Sequence, residues 1–328
     1  MKRKKKVYIT LSFVVTCILI YASFLVTFTV RKNIKDNLIK EYADQEHLIA
    51  IQLAQVLELE LSQRQAELKL IATLPEVMSG DTATCNKKLK EIFQDKNNKL
   101  GNYGRVDKDG YFKCSLNEKL IGMKGENLGT YIKDIFKDPE HKAVMSRAIK
   151  PAGADSYLIA IHVPVFDENG NFSGTIGGAI YLKDLKEKYM KDIQITNGGS
   201  IAIYDDDGTV LHHYKPELIG TNFINPDFQK RVSNTTKTPN KTLKEIQDGV
   251  SGTRTYVFDN EEVIASYDPI HIFLGRNWRI VVNLPTSTAN NNIIKIGADK
   301  VLSGIPIIFS LIILILYSIF LWNINRKI

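Results

Sequence analysis

Two clusters in this 328-residue sequence hold residue types that often bind metal ions. His212 and His213 are adjacent, and neighbouring side chains on a strand point to opposite faces, so the pair is poorly placed to chelate one metal. The run 205–208 (DDDG) resembles the start of a calcium loop, but the glutamate required at the twelfth position is missing and a strand pattern follows. We therefore expect 205–208 to form a hairpin turn, and we predict no metal site.

Catalytic signatures are missing from the sequence. The stretch 174–178 (GTIGG) is superficially similar to a dinucleotide loop, yet it lies within a strand pattern and does not open a helix. The sequence has no Gly-x-Ser-x-Gly elbow, no phosphate-binding loop and no His-Glu-x-x-His motif. We therefore predict no enzyme and no cofactor, and a membrane-anchored enzyme is the weakest of three hypotheses.

The basic excess of the chain lies at its two ends. The formal net charge is +7. Residues 1–6 carry five Lys or Arg, residues 326–327 carry two more, and the interval 31–302 is neutral overall. A nucleic-acid surface needs its basic excess on the folded domain, so we predict no nucleic-acid partner.

Two long uncharged segments indicate a membrane protein. Residues 7–30 would form a helix of about 36 Å, enough to cross a bilayer, and 301–325 form a second apolar run. A cleaved signal peptide is the alternative for the first segment, but its apolar stretch is long and no small-x-small site follows. A buried core helix is the alternative for the second. We predict transmembrane helices over 7–30 and 301–323.

The basic chain ends also predict the orientation in the cell membrane. Lys and Arg favour the cytoplasmic side, so the tails 1–6 and 324–328 are expected inside and residues 31–302 outside. The C-terminal tail is too short to fold by itself. If the chain is complete, we expect it to signal through a separate membrane protein that has a cytoplasmic output region.

Between the two spans the sequence predicts a long helix and then an α+β region. Residues 31–74 contain no Pro or Gly and place apolar residues at helical steps, which predicts a stalk helix within 31–78. We expect this stalk to pair with a second copy in a homodimer. Runs rich in Ile, Val, Tyr and Phe then predict strands between turn signals. These are 103–106, 111–114, 157–166, 172–182, 200–204, 209–213, 254–258, 262–270 and 278–284, with helices around 87–93, 138–149 and 183–190.

An internal repeat divides the α+β region into two similar units. The matching segments are 106–110 with 204–208 and 120–122 with 218–220, at an offset of 98, and 163–165 with 268–270, at an offset of 105. The change of offset implies an insertion, which we place in a predicted polar loop over 233–242. We assign residues 79–190 to a membrane-distal unit and residues 191–300 to a membrane-proximal unit.

The cysteines fit an extracytoplasmic domain. Cys17 lies within the first span, whereas Cys85 and Cys114 both fall in the predicted outward region, an oxidising setting. We favour a disulfide between Cys85 and Cys114, and the alternative is two unpaired buried thiols. Neither cysteine has a nearby Cys or His at metal-ligand spacing.

The order of these features resembles a known family. Two spans, a long helix and two tandem units, with DKDG…LIG and DDDG…LIG in the two copies, are similar to the double Cache sensor domain of bacterial receptors. The segments 174–182 (GTIGGAIYL) and 277–285 (NWRIVVNLP) look like closing strands of its two PAS-like units. The resemblance implies antiparallel sheets, a small-molecule ligand in the distal unit, and displacement of a helix across the membrane.

The resemblance also implies a ligand other than an ordinary α-amino acid. In amino-acid-binding members an Asp on the last distal strand holds the amine, and that position falls on Ala179 here. The Arg-x-Trp-Tyr stretch that holds the carboxylate falls near 138–141 (DPEH), where neither Arg nor Trp occurs.

Six residues are candidates for lining the ligand pocket. If Ala179 faces the pocket, strand alternation places Tyr181 on the same face. Tyr or His side chains in the neighbouring strand and in the covering connection need hydrogen-bond partners that a polar ligand can supply. They are Tyr131, His141, Tyr157 and His162. The alternative is that they are core residues bonded to the backbone. Arg147 could pair with an anionic ligand, although we favour a surface ion pair.

Two functional hypotheses are favoured over the enzyme hypothesis. The first is a membrane-bound sensor that binds an extracellular solute and shifts between two arrangements of its pocket. The second is a two-span scaffold or accessory subunit that has no ligand of its own.

Overall fold

The structure is a computed structural model. It describes residues 2–94, 102–125, 132–151, 156–191, 193, 195, 198–232, 239–272, 276–288 and 298–326. The chain forms two compact units, which are Glu46–Leu284, and Met1–Gln45 together with Pro285–Ile328.

The main α-helices of the described residues are numbered α1 to α8. They are α1 (Lys2–Ala72), α2 (Pro75–Met78), α3 (Thr82–Phe93), α4 (Ile132–Lys137), α5 (Leu182–Tyr189), α6 (Pro226–Val232), α7 (Pro239–Gln247) and α8 (Ala298–Arg326). Helix α1 ends before Pro75, which cannot continue the backbone hydrogen-bond ladder. Asp81 caps α3, because its carboxylate accepts a 2.9 Å hydrogen bond from the backbone N–H of Thr84.

The unit made of the chain ends contains two helices that are long and apolar enough to cross a membrane. The apolar windows lie within Ile9–Ala72 and Gly304–Asn323, and only 6% of each window is buried. Side chains so exposed and so apolar suit a lipid environment. The rings of Phe13 and Tyr317 lie 6.3 Å apart, so the two apolar helices touch within this unit.

The other unit holds two five-stranded antiparallel sheets with the same topology. The first sheet has the order β2-β1-β5-β4-β3 and the second has the order β7-β6-β10-β9-β8. The strands of the first sheet are β1 (Tyr103–Asp107), β2 (Phe112–Ser115), β3 (Val144–Met145), β4 (Leu158–Phe166) and β5 (Phe172–Tyr181). Those of the second are β6 (Ser200–Tyr204), β7 (Val210–His212), β8 (Gly252–Phe258), β9 (Glu261–His271) and β10 (Asn277–Pro285). The predicted α+β class, with tandem units following a long helix, is confirmed.

The internal repeat is visible in the backbone. Gly110 and Gly208, at the turns of the two matching hairpins, both have a φ of +87°, a conformation that glycine adopts without steric cost. Each hairpin is followed by an isolated bridge at the same offset, Tyr111 to Lys124 and Thr209 to Asn222.

One hydrophobic core is shared by α1 and one face of each sheet. Leu57, Leu61 and Leu68 of α1 are almost completely buried, with Ile161 of the first sheet and Ile280 of the second in the same cluster. The other face of the second sheet has its own core.

A disulfide joins Cys85 of α3 to Cys114 of β2, as the sequence predicts, with 5.9 Å between the two Cα atoms. Both residues are fully buried. The bond fixes the edge strand of the first sheet to the helix beside it.

Two secondary-structure predictions are wrong. The helix predicted over 138–149 is not present, because α4 ends at Lys137 and Pro139 disfavours helical backbone in the residue before it. Turns and the short strand β3 follow instead. The loop predicted over 233–242 ends early, since α7 begins at Pro239, a residue well suited to the first helical position. Residues 233–238 lie outside the described part of the chain.

Candidate ligand-binding cavity

A cavity of about 430 Å³ lies against one face of the first sheet. This volume is within the range of small-molecule sites. Its lining comes from four strands and from segments that precede or follow them. The lining residues are Asn102, Gly104, Phe112, Asn117, Leu120, Ile149, Lys150, Pro151, Leu158, Ala160, His162, Gly177, Gly178, Ala179 and Tyr181.

Small residues create the space. Gly104 pairs with Gly177 across β1 and β5, and Ala160 pairs with Ala179 across β4 and β5. Because none of these residues carries more than a methyl group, the floor of the cavity lies close to the backbone. The glycines also let rings lie directly on the sheet. A Cβ atom on Gly104 would lie 2.8 Å from the Phe112 ring, and one on Gly177 would overlap the imidazole of His162.

His162 is the most buried polar side chain of the lining, with 4% of its surface exposed. Its Nδ1 lies 3.1 Å from the hydroxyl of Thr175. Burial lowers the pKa of His162 to about 4. The imidazole is therefore neutral at physiological pH and offers the cavity a polar but uncharged ring.

Two asparagines form the polar rim. The side-chain oxygen of Asn102 accepts hydrogen bonds from the Asn117 backbone N–H, at 2.8 Å, and from the Ser115 hydroxyl, at 3.2 Å. This fixed carboxamide and the half-buried Tyr181 place hydrogen-bonding groups at the edge of an otherwise apolar floor.

The described lining carries positive charge and no negative charge. Lys150 is the only charged side chain among the described lining residues, and no Asp or Glu is found among them. An ammonium group in such a cavity would lose its hydration without a carboxylate partner, which is unfavourable. A neutral or anionic solute suits the described lining better.

The cavity brings together three of the six candidate residues, His162, Ala179 and Tyr181. Tyr157 and His141 lie elsewhere. Tyr157 lies outside the lining because it precedes Leu158 and has the opposite strand parity, and its phenol packs against Gly220. His141 stacks on Phe172 with 3.8 Å between ring centroids. Tyr131 lies outside the described residues.

Sequence reasoning missed several lining residues. Gly104 and Gly177 could have been found from the sequence, because a glycine within a predicted strand leaves space on the face of the sheet. Asn102, Asn117 and Lys150 lie in connections, where no periodicity fixes the direction of a side chain.

Arg276 joins the two sheets. Its guanidinium donates two hydrogen bonds to the carboxylate of Asp205, at 2.6 and 2.7 Å. It also donates to the backbone carbonyls of Met145 and Ser146, both at 2.8 Å. Asp205 is buried at the start of the predicted hairpin turn of the second sheet. The pair therefore holds that turn against the edge strand of the first sheet.

Arg147 adds a more exposed contact of the same kind. It lies 2.9 Å from the carboxylate of Asp205, 3.5 Å from that of Asp207, and pairs with Asp206. Arg147 is in the extended stretch after β3 and not in a helix, but the ion pair favoured from the sequence is present. The three carboxylates converge on arginines, and the stretch that carries Arg147 continues into cavity residues Ile149 and Lys150.

Helix α5 connects the cavity to α1. Helix α5 begins at Leu182, directly after the cavity residue Tyr181. Lys188 of α5 donates a 3.0 Å hydrogen bond to the buried carboxylate of Glu60 in α1, and the Tyr189 hydroxyl donates to the same carboxylate.

The sequence and the fold both match known proteins. The family model described as a Cache domain (dCache_1) matches residues 32–293. No curated protein matches the sequence.

Two solved structures illustrate the similarity of fold. The periplasmic sensory domain of the Campylobacter jejuni chemoreceptor Tlp1 is 18% identical and has a TM-score of 0.59, with 77% of this chain and 98% of that chain covered. The ligand-binding domain of the Pseudomonas fluorescens chemoreceptor CtaA, in complex with L-isoleucine, is 15% identical and has a TM-score of 0.58, with 78% and 98% covered.

Proposed function

Because this chain belongs to the Cache domain family, we propose that it is a membrane-bound extracytoplasmic sensor whose first-sheet cavity binds a small solute. The observation that carries the proposal is the cavity of about 430 Å³ against the first sheet, whose floor is made of glycine and alanine. Small paired residues at the centre of a sheet leave apolar surface uncovered, and a bound solute would cover it.

We propose that the solute is not an ordinary α-amino acid. CtaA is described in complex with L-isoleucine, and the resemblance places the amine-binding Asp of such members at Ala179. The described lining has Lys150 as its single charge and no acid. A neutral or anionic solute, such as an organic acid, a sugar or a nucleobase, satisfies these groups.

The proposed signal is a shift between two arrangements of the cavity. Two routes lead away from it. One is the stretch from Met145 to Lys150, which touches both Arg276 and the cavity. The other is α5, through Lys188 and Glu60 of α1. Helix α1 is continuous from Lys2 to Ala72 and includes the first apolar segment.

The topology is part of the proposal. Both chain ends would lie in the cytoplasm, residues 31–302 outside it, and a separate membrane protein with a cytoplasmic output region would receive the signal. The positive-inside rule supports this orientation, because the basic excess lies at the two ends.

A thermal-shift screen of the full-length chain in detergent tests the function. Organic acids, sugars, nucleobases, amines and amino acids are compared for a saturable rise in the unfolding temperature. A solute at 100 times its Kd adds about 2.7 kcal/mol to the free energy of unfolding. The Ala179→Leu variant, which fills the cavity, should lose the shift. The Lys244→Leu variant, which alters an opening in the second unit, should keep it.

Each result has a distinct meaning. A saturable shift by an amino acid, lost in Ala179→Leu, would leave the sensor standing and overturn the proposed solute class. A well-folded chain that responds to no solute would favour the scaffold hypothesis, and co-purification with a stoichiometric membrane partner would then be expected.

A further inference from the structure

Two stretches of chain form a wall of the cavity where β4 begins. They are residues 145–151 and 156–158, called the wall stretches below, and residues 152–155 lie outside the described chain. The cavity residues that they contribute are Ile149, Lys150, Pro151 and Leu158. Ile149 and Leu158 exchange two backbone hydrogen bonds, of 2.8 and 2.9 Å, so the two stretches are joined to each other.

The first wall stretch gives up one bond of its own sheet at Ser146. The Ser146 N–H donates a 2.8 Å hydrogen bond to the carbonyl of Ala160, and in a regular antiparallel pair the Ala160 N–H would donate to the Ser146 carbonyl in return. Here the Ala160 N–H donates instead to the Ser146 hydroxyl, at 2.8 Å. The Ser146 carbonyl is thereby left for a donor outside the first sheet.

Arg276, the residue before β10, is that donor. Its Nη1 donates to the carbonyls of Ser146 and Met145, both at 2.8 Å, while its Nη2 donates to both carboxylate oxygens of Asp205. Asp205 is buried, so it fixes the direction of the guanidinium. The backbone of the first wall stretch is therefore held by the second sheet.

Tyr157 holds the second wall stretch in a similar way. Its phenol lies on the backbone of Gly220, in the connection after β7, where a Cβ atom would overlap the ring. The centroid of the same ring lies 5.6 Å from Nζ of Lys150, the charged residue of the cavity lining. The connection after β7 and the cavity lining thus contact the same tyrosine.

The internal repeat shows what is special about Gly220. Its equivalent in the first copy is Gly122, at the offset of 98. The two glycines have φ values of +83° and +81°, and their N–H groups donate to the matching carbonyls of Val210 and Phe112. A Cβ atom on Gly122 would meet no described atom within 4 Å. The turn demands glycine at both positions, and at 220 the missing side chain also leaves room for Tyr157.

We infer that the second sheet controls access to the cavity, by holding one wall stretch through Arg276 and the other through Gly220. The inference rests on the proposed function, since it concerns the same cavity. Neither residue belongs to the described lining, so both are positioning residues, which act through Ser146 and Tyr157. Because the coupling between two sites is reciprocal, a solute that requires the closed wall also stabilises these contacts with the second sheet.

Thiol labelling of the full-length chain in detergent tests the inference without any solute. In a Cys17→Ser background, Ala160→Cys places a thiol on the cavity floor, where the alanine is 6% exposed, and the native cysteines that remain are bonded to each other. The probe is methyl methanethiosulfonate, a small neutral reagent whose rate of reaction reports how often the wall opens. Ala265→Cys, at the equivalent buried position of the second sheet, reports unfolding instead.

The matched comparison is Gly220→Ala against Gly122→Ala. Both substitutions add one methyl group at the same φ, so the backbone strain is alike, but only the first displaces Tyr157. The Ala160→Cys thiol should react at least about fivefold faster in Gly220→Ala than in Gly122→Ala. In a Tyr157→Leu background the two glycine variants should react at the same rate, because the shorter side chain does not reach residue 220.

A second pair of variants tests the other contact with no change of charge. The single ammonium of Arg276→Lys cannot serve Asp205 and two carbonyls at once, so the Ala160→Cys thiol should react at least about threefold faster. Arg147→Lys, at a half-exposed ion pair, should leave the rate within about twofold. In every variant the Ala265→Cys thiol should stay at least about tenfold slower than the Ala160→Cys thiol, which shows that the labelled chain is folded.

Three results would overturn the inference. They are equal rates in Gly220→Ala and Gly122→Ala, a difference between these two that persists in the Tyr157→Leu background, and equal rates at the Ala160→Cys and Ala265→Cys thiols. If any of them occurs while the same protein still shows a solute-dependent thermal shift, control by the second sheet fails and the sensor function stands. The expected rates in a chain that responds to no solute would support the inference and contradict the sensor.

Discussion

The two sheets have the same strand order, yet among the described residues the cavity that lies directly on sheet strands is found at the first sheet, on the face turned away from α1. The opening beside the second sheet is lined by Asp206 and by residues that follow β7, and not by its strands. At the centre of the first sheet Gly104 pairs with Gly177, whereas the equivalent pair in the second sheet is Ala202 with Val281. His162 lies at the position that Tyr267 occupies in the second sheet, by the offset of 105. The two sheets therefore share their backbone topology, and the volume of the side chains decides which sheet has a cavity on its surface.

The second sheet is also covered differently. Phe223, Phe228 and Leu243 of the segments that include α6 and α7 are buried against Tyr256 and Val263 of its strands. This aromatic core fills the space that the first unit leaves open. The second unit is thus built for stability, while the first leaves part of its sheet available to a solute.

Truncating one phenylalanine in each unit tests this contrast with the largest expected effect. Phe228→Ala should lower the free energy of unfolding by about 3–5 kcal/mol, because it leaves a void among the buried aromatic side chains of the second sheet's core. Phe112→Ala should lower it by only about 2 kcal/mol, since the new space joins an existing cavity. Chemical unfolding of the detergent-solubilised chain measures both. Equal losses would contradict the difference in packing.

Removing the link between the sheets should have the next largest effect. Arg276→Met removes the two hydrogen bonds that Nη2 of Arg276 donates to the buried carboxylate of Asp205, and we expect a loss of about 3 kcal/mol. Arg147→Met should cost less than about 1 kcal/mol, because the Arg147 side chain is 51% exposed. A double variant, Arg276→Met with Asp205→Leu, should recover part of the loss. If the two single variants were equally stable, the buried pair would not be what holds the sheets together.

Lowering the pH should lower the free energy of unfolding of the chain through His162. Its pKa is about 4 in the folded chain and 6.5 as the ordinary value, so the unfolded chain binds the proton first as the pH falls. Stability is therefore unaffected well above pH 6.5, declines between pH 6.5 and 4, and loses about 2 kcal/mol by pH 5.

The His162→Phe variant isolates this effect. His212 and His213 also have pKa values lowered to about 4 by burial, and they titrate in both proteins. The difference in stability between wild type and variant should therefore change with pH by the amount that His162 contributes. A constant difference from pH 7 to pH 4.5 would show that His162 is not held neutral.

Enlarging a matched alanine should give the smallest effect. Ala160 in the first sheet and Ala265 in the second occupy equivalent positions at the offset of 105. Ala265→Leu overfills a closed core and should destabilise the chain by about 1–3 kcal/mol. Ala160→Leu should cost less than about 1 kcal/mol, because the new methyl groups enter the cavity. Thermal unfolding of the two variants distinguishes them. The opposite order would contradict the assignment of the cavity to the first sheet.

Periodicity and turn glycines made most of the fold predictable. Alternating strands, the paired glycines at 110 and 208, and the long run without Pro or Gly identified the strands, the repeat and α1. The helix predicted over 138–149 failed because Pro139 outweighs a weak helical pattern. The disulfide between Cys85 and Cys114 was predictable because the predicted outward region contains only these two cysteines.

The site was less predictable than the fold. Ala179 and Tyr181 follow from strand alternation, and both line the cavity. Tyr157 and His162 could not both face it, since they differ in parity. Contacts such as those of Arg276 with Asp205 join residues 71 positions apart, and no local pattern in the sequence encodes such a distance.

The floor of alanine and glycine has a consequence for how this protein can change over generations. Ala160, Ala179 and Leu158 touch the cavity but are absent from the core shared by α1 and the two sheets. Substitutions there reshape the chamber while the second unit and the shared core remain intact. If the cavity binds the proposed solute, its preference can therefore drift through single mutations that leave the second sheet and the shared core folded.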